Sequence, residues 1–116
     1  MGVVYYGNYA SYLEQGRTDW LRAQGFSYKW MEANGVQLPV VKLSIDYKRP
    51  AHYDELIRIT TKLKNIPTYK IEFDYAIHNE ENELLVTAYT ALVFVDMKTK
   101  KLMKAPDYLI EKLSGK

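Results

Sequence analysis

The chain has 116 residues, of which 47% are hydrophobic and 26% charged, and its formal net charge is +2. This length fits one domain with one hydrophobic core, and so small a net charge gives no support to nucleic-acid binding. We expect neither membrane insertion nor a secretory signal, because the sequence lacks a membrane-length apolar run and a basic segment leading into an apolar one. The absence of cysteine excludes disulfides and thiolate metal sites and fits the reducing cytoplasm that we predict for the protein.

The first predicted element is one long helix from about Asn8 to Gln24. Apolar or small residues recur at helical spacing along one stripe, and Arg17 is predicted to fall mostly off it. The stripe consists of Tyr5, Tyr9, Tyr12, Leu13, Gly16, Trp20 and Leu21. Asn8 suits the N-cap, and Gly25 suits the left-handed position after the helix. Glycine at position 16 weakens a helix, so we expect the helix backbone to approach a sheet closely there.

The pattern then changes to strands. A short second helix is predicted over Ser27–Asn34, and alternating residues then predict four antiparallel strands. These strands are Val41–Lys48, Ile57–Leu63, Tyr69–Ile77 and Glu83–Asp96, and a terminal helix follows at Pro106–Leu113. The first strand is predicted to be half-buried, and the last, being the most apolar, to be central. The sequence therefore predicts an α+β domain whose antiparallel sheet wraps the long helix, with edge strands that a second copy could cover.

Five segments of the sequence carry a resemblance to a known family. They are GVVYYGNY at residues 2–9, YLE at 12–14, RTDWLR at 17–22, IDYKRPA at 45–51 and YDEL at 53–56. They resemble the hotdog-fold acyl-CoA thioesterases, in the branch of 4-hydroxybenzoyl-CoA thioesterase and the Tol–Pal-associated thioesterase. The resemblance implies one hotdog domain over residues 1–116 that hydrolyses acyl-CoA to a free acid and CoA without a metal or bound cofactor. It also implies homodimers, often paired into homotetramers, with the active site at the dimer interface.

The resemblance further implies roles for residues near the start of the helix. The backbone N–H groups around Tyr6 and Gly7 would point at the thioester carbonyl, in keeping with the free N–H groups and positive dipole of a helix N-terminus. Tyr5 and Tyr9 would line the acyl tunnel, and Asn8 could orient water or substrate as well as cap the helix. Arg49 and Lys64, two basic residues near turns of the sheet, are the predicted contacts of the CoA phosphates.

The catalytic carboxylate is where this sequence departs from the pattern of the family that it resembles. In this branch a catalytic aspartate lies three residues before the glycine matched by Gly2, so its position would precede Met1. We expect it to belong to upstream residues together with the family's first strand; the alternative is a short form without activity. Glu14 could replace the aspartate, since other hotdog branches use a helix carboxylate; the alternative for Glu14 is a structural ion pair or an interfacial hydrogen bond, for which Arg17 is the nearest candidate partner on the helix. His52 and His78 are predicted to be solvated rather than metal ligands. The alternative functions are a non-catalytic hotdog module that binds acyl-CoA or oligomerises, and a structural partner in a cell-envelope complex.

Overall fold

The computed structural model describes residues 9–50 and 56–115. Its elements are α1 (Tyr9–Ala23), α2 (Tyr28–Ala33), β1 (Val36–Gln37), β2 (Val40–Tyr47), β3 (Ile57–Leu63), β4 (Lys70–Asn79), β5 (Leu84–Asp96), β6 (Leu102–Met103) and α3 (Asp107–Leu113). The three predicted helices and four predicted strands are all present, with ends shifted by one or two residues. The strands β1 and β6 were not predicted, because two residues are too few to show an alternating pattern. In the part of the chain that the structure describes, no helix is both long and apolar enough to cross a membrane.

The sheet is organised around β5. This strand pairs antiparallel with β4 on one side and with β1 and β2 on the other, and β3 lies beyond β4. β6 pairs with the last residues of β5. Ala91 and Leu92, on opposite faces of β5, are both buried, which confirms the predicted central position of this strand.

Helix α1 packs across one face of the sheet, which we call the inner face. Alternate residues of β4 point to it and are buried, namely Ile71, Phe73, Tyr75 and Ile77. Trp20 of α1 meets Phe73 edge-on, with ring centroids 5.0 Å apart. The helix contributes Tyr9, Leu13 and Leu21 to the same core. This packing of a helix against an antiparallel sheet is the predicted α+β hotdog arrangement.

The end of α1 has the predicted cap. Gly25 adopts a left-handed conformation with φ of +95°, and its N–H donates to the carbonyl of Arg22 at 2.9 Å. The N–H of Phe26 donates to the carbonyl of Leu21 at 3.1 Å, which completes a Schellman motif. The helix therefore stops sharply and α2 begins at once, with the Oγ of Ser27 accepting from the N–H of Trp30 at 3.0 Å.

Gly16 lies where α1 comes nearest to β3, which confirms the predicted reason for a glycine in mid-helix. A Cβ at this position would be 2.4 Å from the Oγ1 of Thr61 and 3.4 Å from the Cγ2 of Ile59. We expect Gly16→Ala to destabilise the protein, because an overpacking cost of about 1–3 kcal/mol exceeds the gain in helix propensity of about 1 kcal/mol. In a Thr61→Ala background the same change should stabilise the protein, since the obstructing oxygen is gone. Urea denaturation of the parent protein, Gly16→Ala, Thr61→Ala and the double variant measures the free energy of unfolding of each. An equal effect of Gly16→Ala with and without Thr61→Ala would contradict the close approach.

The prediction that β2 is half-buried is wrong for the single chain. Val41 is 60% exposed, and the inner-face residues Leu43 and Tyr47 are 46% and 48% exposed. Within the described residues β2 pairs only with β5, so one of its edges is open. The alternating sequence gives β2 one apolar face, and the described residues of its own chain do not bury that face.

Candidate functional site

Arg17 is the charged residue that the sequence analysis misplaced. The prediction set it mostly off the apolar stripe of α1, but only 8% of the residue is exposed. Tyr9, Leu13, Arg17 and Leu21 recur every four residues and are the buried residues of this helix. The guanidinium is therefore carried into the space between helix and sheet by the same spacing that buries its apolar neighbours.

The buried guanidinium is only partly satisfied. Its Nη1 donates to the phenol oxygen of Tyr75 at 3.3 Å, and the Tyr75 hydroxyl shares a 2.6 Å hydrogen bond with the Oγ1 of Thr90. The Nε atom of Arg17 is buried and has no hydrogen-bond partner. Among the described residues no carboxylate lies within ion-pair distance of Arg17. The site thus holds a positive charge with spare donors and no direct counter-charge.

The protonation of this group follows from its neighbours. Burial lowers the pKa of Arg17, but its hydrogen bond to Tyr75, with added interactions from Tyr75 and Tyr28, raises the pKa above the usual value overall. Burial also raises the pKa of Tyr28 and of Tyr75, against an opposing effect of Arg17. Near neutral pH, Arg17 is a cation beside two neutral phenols.

A cavity of about 390 Å³ opens beside Arg17. Its lining includes Arg17 and Glu14 of α1, Tyr28 and Glu32 of α2, and the apolar side chains of Val40 on β2 and Leu92 on β5. Its volume is within the range of small-molecule sites. The cavity therefore combines apolar surface, a buried cation and two carboxylates in one place.

Glu14 is one of these two carboxylates, and its side chain is exposed. The structure does not form the alternative ion pair with Arg17, although the two residues lie three apart on one helix. Their side chains diverge, because Arg17 follows the buried stripe while Glu14 stays at the cavity rim. Glu14 is thus free of an ion pair among the described residues and able to accept a proton from water.

The predicted residues at the helix start are only partly placed. Tyr5, Tyr6, Gly7 and Asn8 lie outside the described residues. Tyr9, predicted to line the acyl tunnel, is 1% exposed and its ring centroid lies 5.5 Å from that of Tyr47 on β2. The start of α1 therefore lies at the Tyr47 end of β2, and the cavity lies at the Val40 end.

The two predicted phosphate contacts, Arg49 and Lys64, follow different strands of the sheet. Arg49 follows β2, where its N–H donates to the carbonyl of Leu85 at 3.1 Å, and its side chain pairs with Glu83 at 3.2 Å. Lys64 follows β3, and its Nζ lies 4.9 Å above the ring of Tyr89 on the outer face. Two strands, β5 and β4, lie between β2 and β3 in the sheet.

The histidines give no sign of a metal site. His52 lies outside the described residues, and the described residues contain no group of three or more metal-ligating side chains. The prediction that His78 is solvated fails for one atom, since its Nδ1 is buried without a hydrogen-bond partner. His78 belongs to β4, whose pairing with β5 shields it.

Comparisons with known proteins agree on one family. The protein-family model described as "Thioesterase-like superfamily" matches residues 1–113. A putative acyl-CoA thioesterase, YneP of Bacillus subtilis, is 38% identical over 101 residues, which are 87% of this chain and 73% of that protein. The acyl-CoA thioester hydrolase YbgC of Escherichia coli is 35% identical over 107 residues, 90% of this chain and 80% of that protein. The crystal structure of a DHNA-CoA thioesterase from Staphylococcus aureus superposes with a TM-score of 0.86 at 34% identity, covering 99% of this chain and 79% of that one.

Proposed function

The chain belongs to the thioesterase-like superfamily with the hotdog fold, and from this premise we propose that it hydrolyses acyl-CoA thioesters to a free acid and CoA. The observation that carries the proposal for this chain is the cavity beside α1, which Glu14, apolar side chains and a buried cation line together. An acyl group needs the apolar surface, and an attacking water needs the carboxylate.

The proposed reaction uses water as its only co-reactant. The N–H groups of Tyr6 and Gly7 polarise the thioester carbonyl, and Glu14 takes a proton from the attacking water. The water oxygen bonds to the carbonyl carbon, the carbon–sulfur bond breaks, and sulfur leaves with the proton as the thiol of CoA. The amides can contribute about 3 kcal/mol by binding the negative charge that develops on the carbonyl oxygen.

The proposed active unit is a homodimer formed through the open edge of β2. Leu43, Ile45 and Tyr47 all face the inner side of this strand, and two of them are nearly half exposed. Antiparallel pairing with β2 of a second copy would satisfy the open edge and bury these side chains against their counterparts. Association of two such dimers into a homotetramer stays a prediction.

The same pairing completes the site. In an antiparallel pair centred on β2, the Tyr47 end of one copy lies beside the Val40 end of the other. Because Tyr9 packs on Tyr47, the second copy brings the start of its own α1 toward the cavity that Val40 lines. The site proposed here therefore joins Glu14 of one copy with the helix-start amides of the other.

Arg49 fits the CoA phosphates better than Lys64 under this arrangement. It lies just beyond Tyr47, so the second copy would bring it to the mouth of the cavity. Its ion pair with Glu83 is exposed, with 62% of the Arg49 side chain accessible, and such pairs are weak enough for a phosphate to replace Glu83.

The whole reaction would take place in the cytoplasm, a compartment compatible with a cysteine-free chain.

The function is tested by incubating the protein with a panel of acyl-CoAs and following released CoA with a thiol reagent. We expect at least one acyl-CoA to be hydrolysed with a kcat/KM of about 10⁴ M⁻¹s⁻¹ or more, the lower end of the usual enzyme range. Acyl-CoA binding without CoA release would contradict hydrolysis and favour the non-catalytic module. Heat-denatured protein is the control for spontaneous thiol release.

A further inference from the structure

The buried guanidinium of Arg17 makes no ion pair with any residue that the structure describes. Arg17 is 8% exposed and lines the cavity, and its fully buried Nε has no hydrogen-bond partner among the described residues. Burying an unpaired charge is unfavourable, and apolar residues of similar volume often replace buried ions without loss of stability. A stabilising role therefore does not explain this arginine, whereas a ligand that supplies the counter-charge does.

We propose that Arg17 binds a carboxylate at the far end of the acyl group, so that the substrates are ω-carboxyacyl-CoA thioesters. This inference rests on the proposed thioesterase function and specifies its substrate class. A guanidinium presents a planar fork of donors that matches a carboxylate, and Arg17 lines the cavity that would hold the acyl group. The neutral phenol of Tyr28, on the same cavity, can donate one more hydrogen bond.

The remaining walls fit the rest of such an acyl group. Val40 and Leu92 offer apolar surface to a methylene chain, and the volume of about 390 Å³ suits a short chain. Glu14 and Glu32 also carry negative charge, but both are exposed to solvent, where water and salt screen their repulsion. Arg17 lies deeper, so its attraction for a carboxylate is screened less.

The test compares acyl groups of equal carbon number that end in a carboxylate or a methyl group. Glutaryl-CoA is paired with pentanoyl-CoA, and adipoyl-CoA with hexanoyl-CoA. We expect the carboxylate-ended member of each pair to have a kcat/KM about tenfold higher or more. In Arg17→Met this ratio should fall by roughly 10- to 100-fold, the effect of losing a charge-assisted hydrogen bond.

Two further variants separate recognition from structure. Arg17→Lys keeps the charge and loses the fork, so it should retain an intermediate ratio. Arg22→Met is the matched control, since Arg22 is an exposed arginine of the same helix that pairs with Asp19, and it should leave the ratio unchanged. Arg17→Met should melt at the same temperature as the parent protein or higher, and Arg17→Lys serves as the test should the methionine variant fold poorly.

Calorimetric titration with adipate tests the site without hydrolysis. We expect adipate to bind the parent protein, and binding to be lost in Arg17→Met. If no acyl-CoA is hydrolysed but adipate binds through Arg17, the thioesterase proposal fails while the carboxylate site stands. Equal kcat/KM within each pair together with no adipate binding would overturn the site. So would an unchanged ratio in a well-folded Arg17→Met variant.

Discussion

Replacing Glu14 by glutamine should lower kcat for acyl-CoA hydrolysis by about 10²- to 10⁴-fold, the usual contribution of a general base. Glu14 lines the cavity and makes no ion pair among the described residues, so its carboxylate is available to take the proton of an attacking water. Glutamine has nearly the same size and keeps one oxygen but cannot accept that proton. Steady-state CoA release measures the effect, and circular dichroism shows whether the variant folds.

The matched control is Asp19→Asn, which removes an exposed carboxylate from the same helix. Asp19 pairs with Arg22 on the solvent side, and its loss should leave kcat within about twofold, because such pairs contribute little. Full activity in Glu14→Gln would contradict the role of Glu14.

The second large effect is expected from the open edge of β2. Leu43→Glu should convert the dimer to a monomer and reduce hydrolysis by about 100-fold or more, since the proposed site needs both copies. A buried carboxylate without a partner at the seam costs several kcal/mol, whereas in the separate chain position 43 is already 46% exposed. Sedimentation velocity gives the oligomeric state, and CoA release gives the activity.

Lys42→Gln is the control for this prediction. Lys42 is the neighbouring residue of β2, opposite Ala91 in the ladder, and it points to the outer face, away from α1. This variant should remain dimeric and active. A parent protein that is monomeric and fully active at assay concentration would contradict the shared site.

The helices and strands were predictable because the evidence for them is local. Gly25 and Ser27 mark the end of one helix and the start of the next through their own backbone and side-chain chemistry. The alternating residues of β4 and the continuous apolar residues of β5 predicted two strands, and β5 was correctly predicted to be central in the sheet. Gly16 even indicated where helix and sheet come closest, because a glycine in mid-helix is costly unless space requires it.

The burial of the β2 side chains could not be predicted from the sequence of one chain. Its alternating residues indicate that one face is meant to be covered, but not whether the cover comes from its own helix or from a second molecule. The structure shows Leu43 and Tyr47 nearly half exposed, because α1 packs over other strands. Burial of these residues depends on assembly, which the local pattern does not encode.

Arg17 was misplaced for a different reason. Hydrophobic periodicity treats a charged residue as polar and therefore assigns it to solvent. Its four-residue spacing from Leu13 and Leu21 was the available signal, since three-dimensional position follows spacing rather than polarity. The proposed roles of Tyr6 and Gly7, in contrast, came from resemblance, and the structure describes neither residue.

Mixing two inactive variants tests the shared site most directly. Glu14→Gln lacks the carboxylate, and Gly7→Pro lacks one of the amides proposed to bind the carbonyl. If each site joins Glu14 of one copy with the helix start of the other, random exchange of subunits makes half of the dimers mixed, each with one intact site. We predict that CoA release recovers to about a quarter of the parent value; a mixture that exchanges subunits, as shown by mass spectrometry, and recovers no activity would contradict the account.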